Sequence, residues 1–398
     1  MNKLSSRINR LSESATLAMA RMSRELKAQG VDVISLSLGE PDFNTPDFIK
    51  KAAINAIENN FSHYTPVPGI SELRNAIVKK FKRDNNLEYS AEQIVTSTGA
   101  KQSIANVCLS LLDKGDEVLL PCPYWVSYVE IIKLAEATPI EIPTNIQSDF
   151  KIKPDELEKY INKNTKMIMF SSPCNPSGTV YTKKELEEIA KVLEKYPDVY
   201  ILSDEIYEHI NFTEEHFSIG SIKKMQDRTI TVNGVSKGFA MTGWRVGFIG
   251  APLWLAKACN KIQGQTTSAT CSIAQKAAEK AMLAEPKSAT NKMRKTFLMR
   301  RDLIINLVKS IPNIKCNVPQ GAFYIFPDIS YYIGKSFKDI KINSANDLCM
   351  YLLNKAHVAC VSGEAFGNPE CIRISYATSD NKIIEAIKRI KNQLSKLS

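Results

Sequence analysis

The sequence predicts an α/β fold with a mainly parallel central sheet and helices on both of its faces. Two observations carry this expectation. Five apolar runs, EVLL (117–120), KMIMF (166–170), VYIL (199–202), RTITV (228–232) and RVGFI (245–249), mostly lack the alternation of a half-buried strand. They are rich in Val, Ile, Leu and Met, as strands covered on both faces are. Between several of them lie amphipathic segments such as TKKELEEIAKVLEKY (182–196), and this β–α rhythm is that of parallel strands joined by crossover helices.

Taken in chain order, residues 14–29 read as a helix, with Ser14 as the N-cap and Gly30 just past its end. VDVISLSLG follows as a short strand. The β–α rhythm then runs through the middle of the chain and includes a further strand at 93–97. After a long helical stretch around 287–310 come the runs AFYIF (322–326), VACVS (358–362) and CIRISYA (371–377), and then a C-terminal helix. The expected organisation is a large domain over 48–290 and a smaller α+β domain assembled from 1–47 and 291–398. No repeat or low-complexity segment interrupts it.

Composition removes several function classes. With 44% hydrophobic and 24% charged residues the chain has ordinary globular composition. No apolar run reaches 18 residues, so no membrane span is expected, and MNKLSSRINRLSES has no apolar core of a secretory leader. Nine cysteines without a C-x-x-C pair point to reduced thiols and a cytoplasmic protein. The net charge of +10 is spread along the chain, often beside acids on helices as in KKELEEIAKVLEK, so no nucleic-acid partner is expected. Four histidines without H-E-x-x-H give no expectation of a metal.

Nucleotide signatures fail as well. No G-x-G-x-x-G follows a strand, and the GKS at 334–336 lacks the leading glycine of a phosphate loop because position 329 is Ile. The chemistry lies instead at the strand ends. Strand 93–97 runs into TGAKQS, where Gly99, Ala100 and Lys101 open a helix whose free N–H groups make an anion site. Strand 166–170 leads to SSPCNPSG with Asn175 near its apex. Strand 199–202 ends in SDEIY, presenting Asp204 and Tyr207, and strand 228–232 ends in NGVSK, presenting Ser236 and Lys237. Ligands of open α/β sheets bind outside the carboxyl ends of the strands.

One ligand satisfies this set. Phosphate would go to the helix start at Gly99, to Ser236 and to Arg245. A ring cation would go to Asp204, a phenolate oxygen to Asn175 and Tyr207, and an imine carbon to Lys237. That ligand is pyridoxal 5'-phosphate. The stretch VNGVSKGFAMTGWRVGFIG (232–250) carries only Lys237 and Arg245 as charges among five glycines. Small, apolar surroundings and nearby cations favour the uncharged amine that a lysine nucleophile needs.

The ordered set S-K-x-x-x-M-T-G-W-R (236–245), SPCNPSG, SDEIY, Y-x-x-x-x-G (64–69) and GEPDF (39–43) resembles the class I aminotransferases of fold type I. Within them it is most similar to the bacterial-type aspartate aminotransferases. The resemblance implies that Lys237 carries the cofactor and shuttles a proton, and that Asp204 holds the pyridine nitrogen. It implies that Trp125 covers the ring and that Gly39, Trp125, Asn175 and Arg373 meet the substrate, with Arg373 clamping the α-carboxylate. Lys101 would read the second carboxylate of aspartate or glutamate. Tyr64 would reach the phosphate of a neighbouring subunit, so a homodimer with shared sites is implied. The implied partners are small amino and 2-oxo acids.

The implied reaction is transfer of the amino group of L-aspartate to 2-oxoglutarate. Aromatic, alanine-type and prephenate specificities stay open, and relatives that accept prephenate tend to carry lysine where this chain has Ser12. A carbon–sulfur lyase would share the cofactor site, and Lys101 beside Trp125 favours the transaminase. A ligand-sensing module would bring an appended DNA-binding segment, for which the chain has no room.

Overall fold

The computed structural model describes residues 4–213 and 215–398. Among these residues, seven strands form a central sheet in the order Ile94–Ser97, Gly247–Gly250, Thr229–Gly234, Tyr200–Asp204, Thr165–Ser171, Glu117–Pro121 and Thr138–Ile142. The last five run parallel to one another. Gly247–Gly250 is antiparallel to both of its neighbours, so the sheet is mainly parallel, as the sequence predicts.

The strands are apolar throughout because both faces are covered. Leu119, Ile168 and Ile201 point into a core shared with Leu186, Ile189 and Leu193 of helix Lys183–Leu193. Val118, Leu120, Met167, Met169 and Leu202 point the other way, against Ile104, Val107, Leu255 and Cys259 of helices Ala100–Leu111 and Leu253–Thr266. The helix of segment 182–196 begins with a capping box in which Thr182 accepts from the Glu185 N–H and Glu185 accepts from the Thr182 N–H.

Three details differ from expectation. Strand Thr138–Ile142 is absent from the sequence reading because TPIEI is half exposed and carries Pro139; it is an edge strand, where a missing N–H costs no ladder bond. The run RVGFI enters the sheet only at Gly247, because Arg245 adopts the left-handed conformation (φ 57°) after the turn Thr242–Trp244. VACVS is cut in two at Cys360. Val358–Ala359 pairs with Ile34–Ser35, and Val361–Ser362 pairs with Ile372–Arg373 in a second sheet that also contains Tyr324–Ile325.

Those short strands share one core. Met19, Val33 and Leu36 pack with Phe297, Ile325, Leu348 and Ile387, bringing residues near the two chain ends together. Ile206, Tyr207 and Ile210, which follow strand Tyr200–Asp204, join the same cluster. The strand end bearing Asp204 therefore lies where the central sheet meets that core.

Candidate active site

At this junction the carboxyl ends of the parallel strands face a cavity of about 320 Å³. Its lining includes Gly39, Ala100, Lys101, Trp125, Asn175, Asp204, Tyr207, Ser236, Lys237, Arg245 and Arg373. Eleven residues that the sequence singles out, spread over more than 330 positions, thus meet at one place. Gly99 sits directly behind: a side chain there would collide with the Arg245 guanidinium, and its φ of 84° is one that favours glycine. Tyr64 is the exception. It is 99% exposed and does not line the cavity.

Cations dominate one wall. The left-handed backbone at Arg245 turns its side chain back along the chain, so Nη1 donates to the Thr242 carbonyl (3.0 Å) and Nη2 to the Thr98 carbonyl (3.3 Å). The guanidinium therefore lies beside the start of helix Ala100–Leu111, where unpaired N–H groups and the helix dipole also favour an anion.

Asp204 forms the acidic floor. It is 4% exposed, its Oδ1 accepts from the Ile206 N–H (3.2 Å), and its Oδ2 accepts from the Tyr128 hydroxyl (2.7 Å). Burial raises its carboxyl to about 6, and Glu205 adds to the rise; the Tyr128 and Ile206 hydrogen bonds and Lys237 pull it down. A carboxylate so enclosed is suited to meeting a cation, such as a protonated ring nitrogen. Tyr128 was missed in sequence. It lies three positions past Trp125 on helix Ser127–Leu134, with its ring edge-on to the indole at 5.5 Å and 89°. Its only signal was that spacing, which a core tyrosine shares.

Behind Asp204 runs a buried polar network. Glu205, 1% exposed, accepts from Ser203 (2.9 Å), Ser218 (2.5 Å) and Asn85 (3.0 Å), and lies 2.8 Å from His216 Nε2. Glu205, Glu208 and His216 approach one another closely enough to hold a metal ion. However, the Lys80 ammonium pairs with Glu208 and donates to Asn85 (2.5 Å), supplying a cation within the network.

Lys237 stands above Asp204, with Nζ 5.8 Å from the centre of the Tyr207 ring and donating to the Gly39 carbonyl at 2.5 Å. Its ammonium is lowered from 10.5 to about 8, chiefly by burial, with Arg373 and Arg245 acting in the same direction and Glu40 and Asp204 opposing them.

The far wall is built around Arg373, 1% exposed in strand Ile372–Ser375. Its Nη1 donates to Asn175 Oδ1 (2.9 Å) and its Nη2 to the Ser37 carbonyl (2.5 Å), while its buried Nε has no partner. The guanidinium lies over the ring of Tyr324 at 4.6 Å, and the Tyr324 hydroxyl shares a 2.7 Å bond with Tyr207. Tyr324 sits in AFYIF, which reads in sequence as core. Gly39 passes so close to the Tyr324 hydroxyl that any side chain there would collide with it. At the rim, Lys101 Nζ lies 5.0 Å from the Trp125 ring centre, and no carboxylate pairs with it among the described residues. Burial and Arg245 lower its ammonium. Ser12 does not line the cavity; its N–H donates to Glu130 (2.8 Å).

The donor set fits pyridoxal 5'-phosphate. Arg245, Ser236 and a helix N-terminus offer an anion site, Asp204 an acid for a ring nitrogen, and Lys237 an amine of lowered basicity between them. Gly99 leaves the space that Arg245 fills, and Arg373 keeps a buried donor without a partner, as a site for a second anion requires.

Comparison with known proteins gives the same class. The model of the family described as Aminotransferase class I and II matches residues 31–390. An aspartate aminotransferase of Pinus pinaster is 46% identical over 98% of this chain and 80% of its own length. An aspartate/prephenate aminotransferase of Nitrosomonas europaea is 44% identical over 99% of this chain and all of its own. The crystal structure of the aspartate aminotransferase from Rhizobium meliloti superposes with a TM-score of 0.96 at 39% identity, covering 100% of both chains. The chain thus belongs to the class I and II aminotransferases, pyridoxal-phosphate-dependent enzymes of fold type I.

Proposed function

We propose that this enzyme transfers the amino group of L-aspartate to 2-oxoglutarate, alternating between the two substrates at one site. The observation that carries this is the pair of cations flanking Lys237: Arg373, buried with an unused donor, and Lys101, at the rim without a carboxylate partner. Aspartate, glutamate and their oxo acids each bring two carboxylates, and two separated cations select for them.

The bound cofactor supplies a ring that accepts the electron pair left when the Cα–H bond breaks. The protein does the rest. Arg373 binds the α-carboxylate in two-point fashion, held in orientation by Asn175 and Ser37. Lys101 receives the second carboxylate. Lys237 would take the proton from the substrate Cα, hold it on Nζ and give it back within the same site. With its ammonium at about 8, about a quarter of the free side chain is neutral at pH 7.5, against about a thousandth for an ordinary lysine. Asp204 holds the ring nitrogen protonated, and Tyr128 holds Asp204. Asn175 and Tyr207 offer donors to the ring oxygen, Ser236, Arg245 and the helix start at Gly99 and Ala100 bind phosphate, and Trp125 closes the ring face against water.

We further infer a homodimer with shared sites. Tyr64 is fully exposed, yet its loop is pinned: Gln275 donates to Thr65 (2.9 Å), Gln263 to the Val67 carbonyl (2.9 Å), and the Thr96 N–H to the Pro68 carbonyl (3.0 Å). A rigid loop that presents a tyrosine to solvent suits a site in a second copy of the chain. The division into a large domain (48–290) and a small one (1–47 with 291–398) is likewise our reading, supported by the separate core that residues from both chain ends build. A cytoplasmic location is supported by nine free thiols; no helix among the described residues is long and apolar enough to cross a membrane.

The test is single-turnover spectroscopy of the holoenzyme with a panel of amino acids. Aspartate and glutamate should convert the cofactor to its amine form far faster than alanine or phenylalanine. Equal rates across the panel would remove the dicarboxylate reading. The Nitrosomonas europaea relative is named for prephenate as well as aspartate, which makes prephenate the second acceptor to assay.

A further inference from the structure

The cavity has a second acid whose role the reaction above leaves open. Glu40 lines the mouth beside Leu38 and Gly39, whereas Asp204 lies at the floor. Its carboxylate accepts from the Thr242 hydroxyl, and the Thr242 carbonyl in turn accepts from Arg245 (3.0 Å). Thr45, five residues on, donates to the Ala240 carbonyl (2.8 Å) and accepts from Trp244 Nε1 (3.1 Å). Glu40 is therefore held by a segment stitched to the turn that follows Lys237. Among the described residues no cation forms an ion pair with it. The peptide carbonyl just before it, that of Gly39, is the one Lys237 touches at 2.5 Å.

The charges around the cavity make that placement consequential. The charged lining residues are Lys101, Lys237, Arg245 and Arg373 with Asp204 and Glu40; with Arg245 given to phosphate, Lys237 to the cofactor and Asp204 to its ring nitrogen, Lys101, Arg373 and Glu40 are the charges left to meet the substrate. Such a cavity favours the more negative of the two substrate types. At neutral pH a dicarboxylic oxo acid carries two negative charges and its amino acid only one net, because the α-ammonium offsets a carboxylate. With one carboxylate on Arg373 and the other on Lys101, the α-nitrogen must lie near Lys237, on the side where Glu40 stands. Glu40 is the strongest single charge acting on the Lys237 ammonium, so a second ammonium at that place feels it too.

We propose that Glu40 is a specificity-determining residue that attracts the α-ammonium of the incoming amino acid and disfavours the oxo acid, balancing the two half-reactions. This rests on the dicarboxylate transaminase reading above. Glu40 is exposed, so its field acts through water. A unit charge acting across about 6 Å of water changes binding by about threefold for each substrate, in opposite directions.

The experiment measures both half-reactions of the holoenzyme separately, by single turnover with aspartate and with 2-oxoglutarate, in wild type, Glu40→Gln and Thr242→Val. The glutamine keeps an oxygen for the Thr242 hydroxyl and removes only the charge. In Glu40→Gln, kcat/KM for aspartate should fall and that for 2-oxoglutarate should rise, changing their ratio by about tenfold at low ionic strength. The change should shrink toward unity as salt is raised, because exposed charges are screened beyond about 10 Å at 0.1 M. Succinate, which has no ammonium and does not react, should bind about threefold tighter to the variant in a spectral titration. Thr242→Val, which keeps the charge and removes the hydroxyl, should leave the ratio within twofold of wild type. Equal loss in both half-reactions of Glu40→Gln, a salt-independent change, or unaltered succinate affinity would each overturn the assignment. If wild type itself fails to turn over with aspartate, the dicarboxylate reading falls instead, and the two failures are distinct.

Discussion

Replacing Asp204 by Asn should make the cofactor-free protein more stable while it disables the enzyme. The carboxyl is 4% exposed, and burial holds its proton to about 6, against 3.8 for an ordinary aspartate. Between those two values the folded protein binds more protons than the unfolded chain, so stability falls as pH rises through that window and stays lowered above it. Integrating the difference gives a penalty of about 2 kcal/mol at pH 5 and about 3 kcal/mol at pH 8. Asparagine has the same shape and no charge to desolvate, so the penalty disappears. Loss of the charged acceptor for Tyr128 adds an offset that does not grow over the same window. The stability gained by Asp204→Asn should therefore increase by about 1 kcal/mol from pH 5 to pH 8. Chemical denaturation of both cofactor-free proteins at pH 5, 6.5 and 8 reads this directly. A stability difference that is flat with pH would refute the argument that burial strains the Asp204 charge. With cofactor restored, the same variant should slow the proton-abstraction step by orders of magnitude, since losing an electrostatic partner of the reacting group commonly costs about 3–4 kcal/mol.

Three further outcomes follow from the site. Borohydride reduction of the holoenzyme and peptide mapping should place the cofactor on Lys237, and Lys237→Ala should lose that adduct and nearly all transamination; an adduct on another lysine would contradict the assignment. Lys101→Ala should depress kcat/KM for aspartate and glutamate by about ten- to a hundredfold more than for alanine or phenylalanine, the worth of one charge-assisted bond; a uniform loss would make Lys101 structural. Mixing Lys237→Ala with Tyr64→Ala under subunit exchange should restore activity, because a hybrid dimer holds one site with both intact residues. Hybrids no more active than their parents would show that the two chains do not share sites.

From the sequence alone come the class of sheet, the sheet edge at which the polar strand ends gather, and most of the residues that line the cavity there. Apolar runs such as KMIMF could be read as doubly covered strands because burial on both faces erases alternation, and the strand ends then pointed to Asn175, Asp204 and Lys237 in register. Elements whose local chemistry contradicted their place were not legible. Thr138–Ile142 is polar because it is an edge, and the strand-like RVGFI begins with a left-handed arginine because its side chain must turn back toward Gly99. Tyr128 and Tyr324 look like core aromatics in sequence, and both are core by burial. Only the fold shows that their hydroxyls end on Asp204 and Tyr207. The lowered basicity of Lys237 was expected from its neighbours in the chain, but its largest charge influences come from Glu40, Arg373 and Arg245, two of them more than 130 residues away. Desolvation and Coulomb forces act through space, so a motif can name the nucleophile while tertiary packing sets its proton affinity.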